Sequence, residues 1–390
     1  MTFELGVNYW PRSRAMYMWR DFDAAEVRDD MARIAGLGFD VVRLFALAED
    51  FLPEPSKVSA DAVTRLVEVV RAAGEAGLRA MPTLVVVNMS GWMWWPAWMR
   101  DAQGHALDLY RDPAALAAQE GLVETCARAL AGGSAVRALD LANEIDGAQV
   151  PASREAGRSW VERMAAAARR GAPGLPVQVG AHLPSLAAAN NMRVDDIAAY
   201  ADEDVMHAYP LYCDAARSPL DPELVPFSCA LTAGLAGRGP VLMQEFGLPT
   251  APPGRAGRSI EDDFLGRRLP QYLASEEEGG RYYSEVLERL VATGAAGAYA
   301  WCYADYDPRL FDRPPLDRAV RERTFGLLRA NGSEKPAADV FRRLRRERDA
   351  GTLAPRPVPA VLDVSADAYY DAPARHFARL YALWLERAAA

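Results

Sequence analysis

DVVRLFAL at Asp40–Leu47 and LRAMPTLVVV at Leu78–Val87 are continuous apolar runs, and a segment of helical spacing, Asp61–Ala76, separates them. Continuous apolar runs are typical of parallel strands that are buried on both faces. Outward from this unit the alternation of strands and helices continues, which predicts a closed (β/α)8 TIM barrel, an α/β fold. The eight predicted strands are Phe3–Tyr9, Asp40–Leu47, Leu78–Val87, Val136–Ala142, Val177–Ala181, Val205–Tyr209, Val241–Phe246 and Gly297–Tyr303. The predicted helices between them are Asp23–Leu37, Asp61–Ala76, Asp112–Leu130, Arg154–Arg170, Val194–Tyr200, Pro222–Ala236 and Glu276–Ala292.

The alternative fold is an open, doubly wound sheet. Such a sheet normally carries a Gly-rich phosphate loop after its first strand. Here the first predicted strand ends in NYWPRSR, residues 8–14, which has no glycine.

Two segments go beyond a minimal barrel. Pro249–Leu273 is long, polar and rich in Pro and Gly, so we predict a long loop that acts as a lid or lies disordered on the surface. A Pro-rich linker, LAPRPVPA at 353–360, precedes a helix at Pro373–Arg387 whose apolar residues form one stripe. We predict a catalytic barrel at 1–350 and an extension at 351–390 that packs on it, with a homo-oligomer through this helix as the alternative.

The composition excludes several classes of protein. The 390 residues include 44 Lys+Arg and 53 Asp+Glu, and this net charge of −9 argues against nucleic acid or an anionic membrane as the partner. The start MTFELGVNYW has no basic and apolar leader, and no run of about 18 apolar residues occurs, so a cytoplasmic location is expected. Four scattered cysteines and four unpaired histidines predict neither a disulfide framework nor a metal site, and no cofactor is expected.

The carboxyl ends of the predicted strands carry the candidate site, because barrels of this type build their active sites there. Each candidate has a structural alternative: a carboxylate can cap the next helix, and a lone histidine is usually a core residue. Arg43 inside VVRLFAL is harder to explain in this way, since a buried arginine needs a carboxylate partner. The strand ends carry Asn8, Tyr9, Trp10, Arg43, Asn88, Asn143, Glu144, His182, His207, Tyr209, Gln244, Glu245 and Trp301.

The ordered set of these motifs resembles the clan A retaining glycoside hydrolases, especially family five. The motifs are Asn-Glu after strand four, His-x-Tyr on strand six, Glu-Phe-Gly after strand seven and Trp on strand eight. The resemblance spans residues 3–345 and includes GxxKPA at 332–337. Two positions depart from the common pattern, Ile145 where many members have proline and Asn88 where cellulase-like members often have histidine. Asn88 followed by Trp92 is closer to the mannan-active members.

This resemblance implies a double displacement by two carboxylates about 5 Å apart. It makes Glu245 the nucleophile and Glu144 the acid/base. Arg43 and Tyr209 are expected to hold Glu245 ionised, and the negative Glu245 is expected to raise the pKa of Glu144 so that it stays protonated. The remaining expected substrate-site residues are Asn143 as a donor to the sugar 2-hydroxyl, His207 as the residue that orients Glu144, Trp301 as the floor of the sugar site, and Asn88.

The tryptophans of GWMWWPAWM, residues 91–99, follow the third predicted strand on the loop side of the barrel. Sugars stack their C–H faces on indoles, so we predict a substrate subsite at Trp94 or Trp95 or both. The alternative is a hydrophobic core within the loop.

The resulting prediction is a retaining β-glycosidase, an exo-acting β-mannosidase on small β-mannosides, with an oligosaccharide or small glycoside as its partner. An endo-β-1,4-mannanase, a β-glucosidase or a β-galactosidase is the alternative within the clan. A catalytically inactive carbohydrate-binding barrel is the alternative outside it. An aldolase is excluded, because neither Lys57 nor Lys335, the two lysines, lies at a predicted strand end.

Overall fold

Eight parallel strands form the centre of the computed structural model, which describes residues 3–354 and 361–389. They are β1 (Glu4–Asn8), β2 (Val41–Leu47), β3 (Arg79–Val86), β4 (Leu139–Asn143), β5 (Val177–Gly180), β6 (Val205–His207), β7 (Leu242–Phe246) and β8 (Gly297–Ala300). Neighbours pair in the order β5-β4-β3-β2-β1-β8-β7-β6, all parallel. A parallel bridge between His182 and His207, with the His207 N–H 2.8 Å from the Ala181 carbonyl, joins the two outer strands. The sheet therefore closes, and the predicted barrel is confirmed over the open sheet.

Helices alternate with these strands around the outside of the barrel. Those after β1 to β4 and after β7 begin at an Asp or Ser whose side chain accepts a first-turn N–H, a cap that stabilises a helix by about 0.5–2 kcal/mol. None of the helices in the described ranges is long and apolar enough to cross a membrane. The main helices are α1 (Ala24–Gly36), α2 (Ala60–Glu75), α3 (Pro113–Leu130), α4 (Arg154–Gly171), α5 (Val194–Ala198), α6 (Leu224–Ala236), α7 (Glu276–Ala292), α8 (Pro336–Asp349) and α9 (Pro373–Ala389).

The inside of the barrel is apolar at one end and polar at the other. Val41, Met81, Ala138, Val205, Leu242 and Tyr299 form an apolar cluster of their own at the end where the strands begin. Gly6 is required here, because a β-carbon at this position would lie 2.2 Å from the Tyr299 ring. Higher in the barrel the buried side chains become polar, among them Arg43, Thr83, Asp140, Gln178 and Gln244. This polar layer supports the mouth of the barrel, where the strands end.

The segment after β7 is a folded hairpin. Strands Arg258–Phe264 and Arg267–Leu273 pair antiparallel through a two-residue turn in which Leu265 and Gly266 both have positive φ, 53° and 83°. Asp262 on the first strand accepts the backbone N–H of Arg321, which anchors the hairpin to the loop after β8. Of the two expectations for this segment, a disordered surface loop is therefore wrong, while a lid stays a prediction.

The C-terminal helix α9 packs on α6. The ring of Phe227 on α6 lies 5.3 Å from Phe377, 4.9 Å from Tyr381 and 5.9 Å from Trp384, measured between ring centroids. The apolar stripe thus covers the outside of the barrel, while the oligomer interface stays a prediction. Residues 355–360 of the predicted linker lie outside the described residues.

Candidate active site

A cavity of about 350 Å3 opens where the barrel strands end. Its walls come from the loops after β3, β4, β5, β6, β7 and β8. Of the site residues predicted from the sequence, those that line the cavity are Asn88, Asn143, Glu144, His207, Tyr209, Glu245 and Trp301.

Glu245, the second-to-last residue of β7, is held by two donors. One of its carboxylate oxygens accepts from Nη1 of Arg43, and the other accepts from the Tyr209 hydroxyl at 2.9 Å. The residue is only 4% exposed. Burial first, and then the charges of Glu245 and Glu144, raise the pKa of Tyr209 well above its usual value, so this hydroxyl remains a donor. The two donors hold the carboxylate in one orientation at the cavity wall.

Arg43 lies beneath Glu245 and is fully buried, with 0% exposure. Its guanidinium also contacts Asp140 (2.8 Å), Asn8 (3.1 Å) and Asn143 (2.9 Å). Arg43 therefore contacts the carboxylate and not the substrate, which corrects its expected place among the substrate-binding residues. The partner that its burial requires is provided by two carboxylates, Asp140 and Glu245.

Glu144 follows β4 in a left-handed backbone conformation, φ 44° and ψ 48°. A non-glycine residue in this region costs about 1–3 kcal/mol and persists where the surroundings enforce it, often at functional sites. One carboxylate oxygen lies 2.9 Å from Nδ1 of His207. The other accepts from the Asn88 amide at 3.3 Å and lies 3.3 Å from Nδ1 of His182. The strained turn thus directs the carboxylate into the cavity, between two imidazoles.

His182 connects Glu144 to a second buried acid. Its Nε2 lies 3.0 Å from Oδ2 of Asp146, and that oxygen also accepts from Ser185 and Asn190. Burial favours the neutral ring, but Asp146 and then Glu144 outweigh burial and raise the pKa of His182 well above its usual value. The protonated ring bridges the two carboxylates.

This cation decides the direction of the Glu144 pKa. Burial raises it, but the charge and hydrogen bond of His182, together with His207, lower the pKa of Glu144 well below its usual range. The expectation that Glu245 keeps Glu144 protonated is therefore wrong for this arrangement. Glu144 and His182 therefore titrate as a pair rather than as independent groups.

The two carboxylates are close together. One oxygen of Glu144, one of Glu245 and a ring nitrogen of His207 all lie within 4.8 Å of one another. Retaining glycosidases place their carboxyl groups about 5–5.5 Å apart, and inverting ones about 6.5–9.5 Å apart. The spacing in the cavity fits the retaining geometry.

The same three side chains are near enough together to ligate a cation. Protein groups already engage each of them: Arg43 and Tyr209 donate to Glu245, while His207 contacts Glu144 and, at 2.8 Å, Gln244. Hydrogen bonds within the protein therefore already engage Glu144, Glu245 and His207, which form an acid–base cluster.

Asn143 and Trp301 also line the cavity. The Asn143 amide donates one N–H to the Asn88 carbonyl at 2.9 Å, and its second N–H takes no part in that bond. The Trp301 indole is edge-on to Phe45, with 5.7 Å between ring centroids. The backbone carbonyl of Trp301 accepts a hydrogen bond from the Tyr283 hydroxyl. Both side chains are therefore fixed before substrate arrives.

Trp94 and Trp95 do not line the cavity. They are 2% and 8% exposed, and Trp94 donates to the Met89 carbonyl and packs edge-on against Tyr17. The structure favours the alternative interpretation, a hydrophobic core within the loop.

Several lining residues were not predicted from the sequence. His182 was noted as a strand end but not assigned to the site, and Asp146, two residues after Glu144, was the available signal for its partner. Arg321 and Glu322 lie on a short 3-10 turn, Val320–Thr324, far beyond the end of β8, where no strand-end rule applies.

No protein-family model and no curated protein matches the chain. Solved structures do. GH5_18 from Streptomyces cattleya in complex with GlcNAc is 25% identical, with a TM-score of 0.83 over 99% of this chain and 92% of that one. A variant of that enzyme in complex with Manβ1-4GlcNAc has a TM-score of 0.81 at the same identity and the same coverage. The exo-β-1,4-mannosidase Op5Man5 from Opitutaceae bacterium strain TAV5 is 27% identical, with a TM-score of 0.75 over 90% of this chain and 60% of that one. The resemblance predicted from the strand-end motifs is confirmed: the chain is a glycoside hydrolase, and its structural neighbours include family-five enzymes and an exo-β-1,4-mannosidase.

Proposed function

We propose that this retaining β-glycosidase is an exo-acting β-mannosidase for small β-mannosides. Glu245 is the nucleophile and Glu144 the acid/base in this proposal. The observation that carries the exo assignment is that Arg321 bridges the loops around the mouth of the cavity.

Arg321 joins four loops around the mouth of the barrel. It lies on the loop after β8, donates to the Tyr212 hydroxyl after β6 at 2.9 Å, and contacts Asp262 of the hairpin after β7 at 3.1 Å. A β-carbon at Gly91, on the loop after β3, would lie 2.9 Å from its Nη2. An enzyme that cuts inside a chain needs a cleft open at both ends, whereas these contacts support a pocket that accepts the end of a chain.

In the first step the Glu245 carboxylate attacks the anomeric carbon. Arg43 and Tyr209 donate hydrogen bonds to this carboxylate and hold it in one orientation while the bond forms. Glu144 donates the proton of the Glu144–His182 pair to the leaving oxygen, so the departing sugar leaves as a neutral alcohol.

In the second step water attacks the glycosyl ester. Esterified Glu245 no longer carries a negative charge. The Glu144–His182 pair gave up its proton in the first step, so the Glu144 carboxylate can accept the proton of that water and return the pair to its starting protonation. Asn143 contributes the hydrogen bond to the sugar 2-hydroxyl that strengthens in the transition state.

Mannose as the sugar is supported by the Streptomyces cattleya variant in complex with Manβ1-4GlcNAc and by the exo-β-1,4-mannosidase relative. The axial 2-hydroxyl of mannose needs a polar partner, and the amides of Asn88 and Asn143 lie beside Glu144 to supply one. The leading disaccharide in this proposal is mannosyl-β-1,4-N-acetylglucosamine.

The test is a panel of nitrophenyl β-glycosides followed by product analysis on Manβ1-4GlcNAc, mannobiose and mannohexaose. We expect the highest kcat/KM on β-mannosides and release of mannose alone from every chain length. Glu245→Gln serves as the inactive control for contaminating activity. Higher kcat/KM on β-glucosides or β-galactosides contradicts the mannose assignment, internal cleavage of mannohexaose contradicts the exo assignment, and no turnover at all would favour a carbohydrate-binding barrel.

A further inference from the structure

Glu322 is a charged side chain in the cavity that the proposed mechanism does not use. It is 6% exposed and lines the same cavity as Glu245. Its nearest partner is Nε of Arg321, at 3.4 Å. Within residues 3–354 and 361–389 no donor makes a hydrogen bond to its carboxylate.

The neighbouring arginine makes no hydrogen bond to this carboxylate within the described residues, because Nε and Nη1 of Arg321 donate to other groups. Nε donates to the Tyr212 hydroxyl, and Nη1 donates to Asp262 and to the Asp263 carbonyl. A buried carboxylate without donors is costly. Such a group is retained at a ligand site where the ligand supplies the missing donors.

The surroundings of Glu322 disfavour its ionised form, as expected for a carboxylate that lacks hydrogen-bond donors. The pKa of Glu322 is raised to about 7, mainly by burial. Arg321 lowers this pKa, while the negative charges of Asp262, Glu245 and Glu144 raise it further. A donor from a bound molecule would stabilise the ionised form at the pH where the carboxyl is otherwise half protonated.

The turn that carries Glu322 also places it near the nucleophile. Phe325, three residues further on, packs edge-on against Tyr209, 6.1 Å between ring centroids, and Tyr209 donates to Glu245. The sugar ring whose anomeric carbon faces Glu245 therefore lies next to this wall of the cavity.

We propose that the Glu322 carboxylate accepts hydrogen bonds from hydroxyl groups of the sugar ring that Glu245 attacks, and so determines which sugar the enzyme accepts. The inference rests on the proposed function for the identity of the sugar. Two carboxylate oxygens can accept from two neighbouring hydroxyls, and hydrogen bonds to a charged acceptor are about twice as strong as neutral ones.

The experiment compares Glu322→Ala and Glu322→Gln with wild type on nitrophenyl β-mannoside and on its 3-, 4- and 6-deoxy analogues. Glu261→Gln, an exposed carboxylate on the hairpin, is the matched control. We expect Glu322→Ala to lower kcat/KM on the parent sugar about tenfold to a hundredfold, as loss of a charged hydrogen bond does. On at least one deoxy analogue, the kcat/KM of wild type should fall by as much, relative to the parent sugar. The kcat/KM of Glu322→Ala on that analogue should be no lower than its kcat/KM on the parent sugar.

Two results overturn the inference. One is an equal loss in Glu322→Ala on the parent and on every deoxy analogue, which indicates a structural role. The other is an unchanged kcat/KM on all substrates. Glu322→Gln preserves the side-chain shape, so its thermal unfolding midpoint and the same deoxy comparison decide the case if the alanine variant folds poorly. If wild type prefers another sugar, the proposed function fails, and the deoxy series of the preferred sugar tests Glu322 independently.

Discussion

Replacing His182 by asparagine should move the alkaline limb of the kcat/KM profile to lower pH. In wild type, the raised pKa of His182 lets the Glu144–His182 pair keep its shared proton to a pH above that of an ordinary histidine. Without the ring, the proton that the leaving group needs must reside on the Glu144 carboxyl alone. Because carboxyls lose their protons at lower pH than this pair, the acid becomes depleted earlier as pH rises.

The size of the shift follows from the distance between the two groups. Nδ1 of His182 lies 3.3 Å from Oε2 of Glu144. A unit charge at about 4 Å is worth about 4 kcal/mol at an effective dielectric constant of about 20, which corresponds to about three pKa units. Asp146, 3.0 Å from the same ring, raises the pKa of His182 further, whereas burial of the ring lowers it and offsets part of the effect. We therefore expect the limb to move by about one to three pH units.

The assay is the pH dependence of kcat/KM on Manβ1-4GlcNAc and on dinitrophenyl β-mannoside. The disaccharide needs a proton on its leaving oxygen, so its profile should shift, whereas kcat on the aryl substrate should fall little. Asp146→Asn should shift the limb in the same direction by less, since His182 remains. His105→Asn is the matched control, because His105 is exposed and its ring contacts Asp101, outside the cavity. An alkaline limb that stays in place in His182→Asn, or moves to higher pH, would refute the proton-sharing pair.

Three further outcomes are expected. Glu245→Ala should abolish turnover of every substrate, while Glu144→Ala should retain activity on dinitrophenyl β-mannoside; equal losses of kcat on aryl and disaccharide substrates would contradict these roles. Arg43→Met should lower the free energy of unfolding in urea by about 3–5 kcal/mol, because Asp140 and Glu245 lose their buried cation; an unchanged midpoint would show that the carboxylates do not depend on it. Trp94→Phe should leave KM unchanged and lower the free energy of unfolding by about 1 kcal/mol, since it loses the hydrogen bond to the Met89 carbonyl; a marked rise in KM would restore the substrate-subsite interpretation.

The barrel could be predicted because burial on both faces makes its strands continuous in apolar residues. The predicted ends of the strands were less accurate. The fourth strand was predicted from Val136 but begins at Leu139, since apolar residues before a strand look like part of it. The hairpin after β7 could not be recognised, because most of its side chains are exposed and it has no apolar face.

The core of the site could be predicted for a geometric reason: a closed parallel barrel brings the carboxyl ends of all its strands together. This rule located Glu144, Glu245 and Tyr209. It could not give the direction of the Glu144 pKa, which depends on a histidine and an aspartate meeting across two strand ends. It was also uninformative for Glu322, which reaches the cavity from a turn and not from a strand.

The central claim is that Glu245 forms a covalent bond to the sugar, and peptide mass spectrometry after inactivation with 2-deoxy-2-fluoro-β-mannosyl fluoride tests it most directly. The fluorine at C2 slows both formation and hydrolysis of the glycosyl ester. The anomeric fluoride is a good leaving group and makes formation fast again, so the ester should accumulate. We predict a fluoromannosyl adduct on the peptide that contains Glu245, and none on the peptide that contains Glu144. An adduct on Glu144, or turnover that releases the inverted α-anomer without any adduct, would contradict the account.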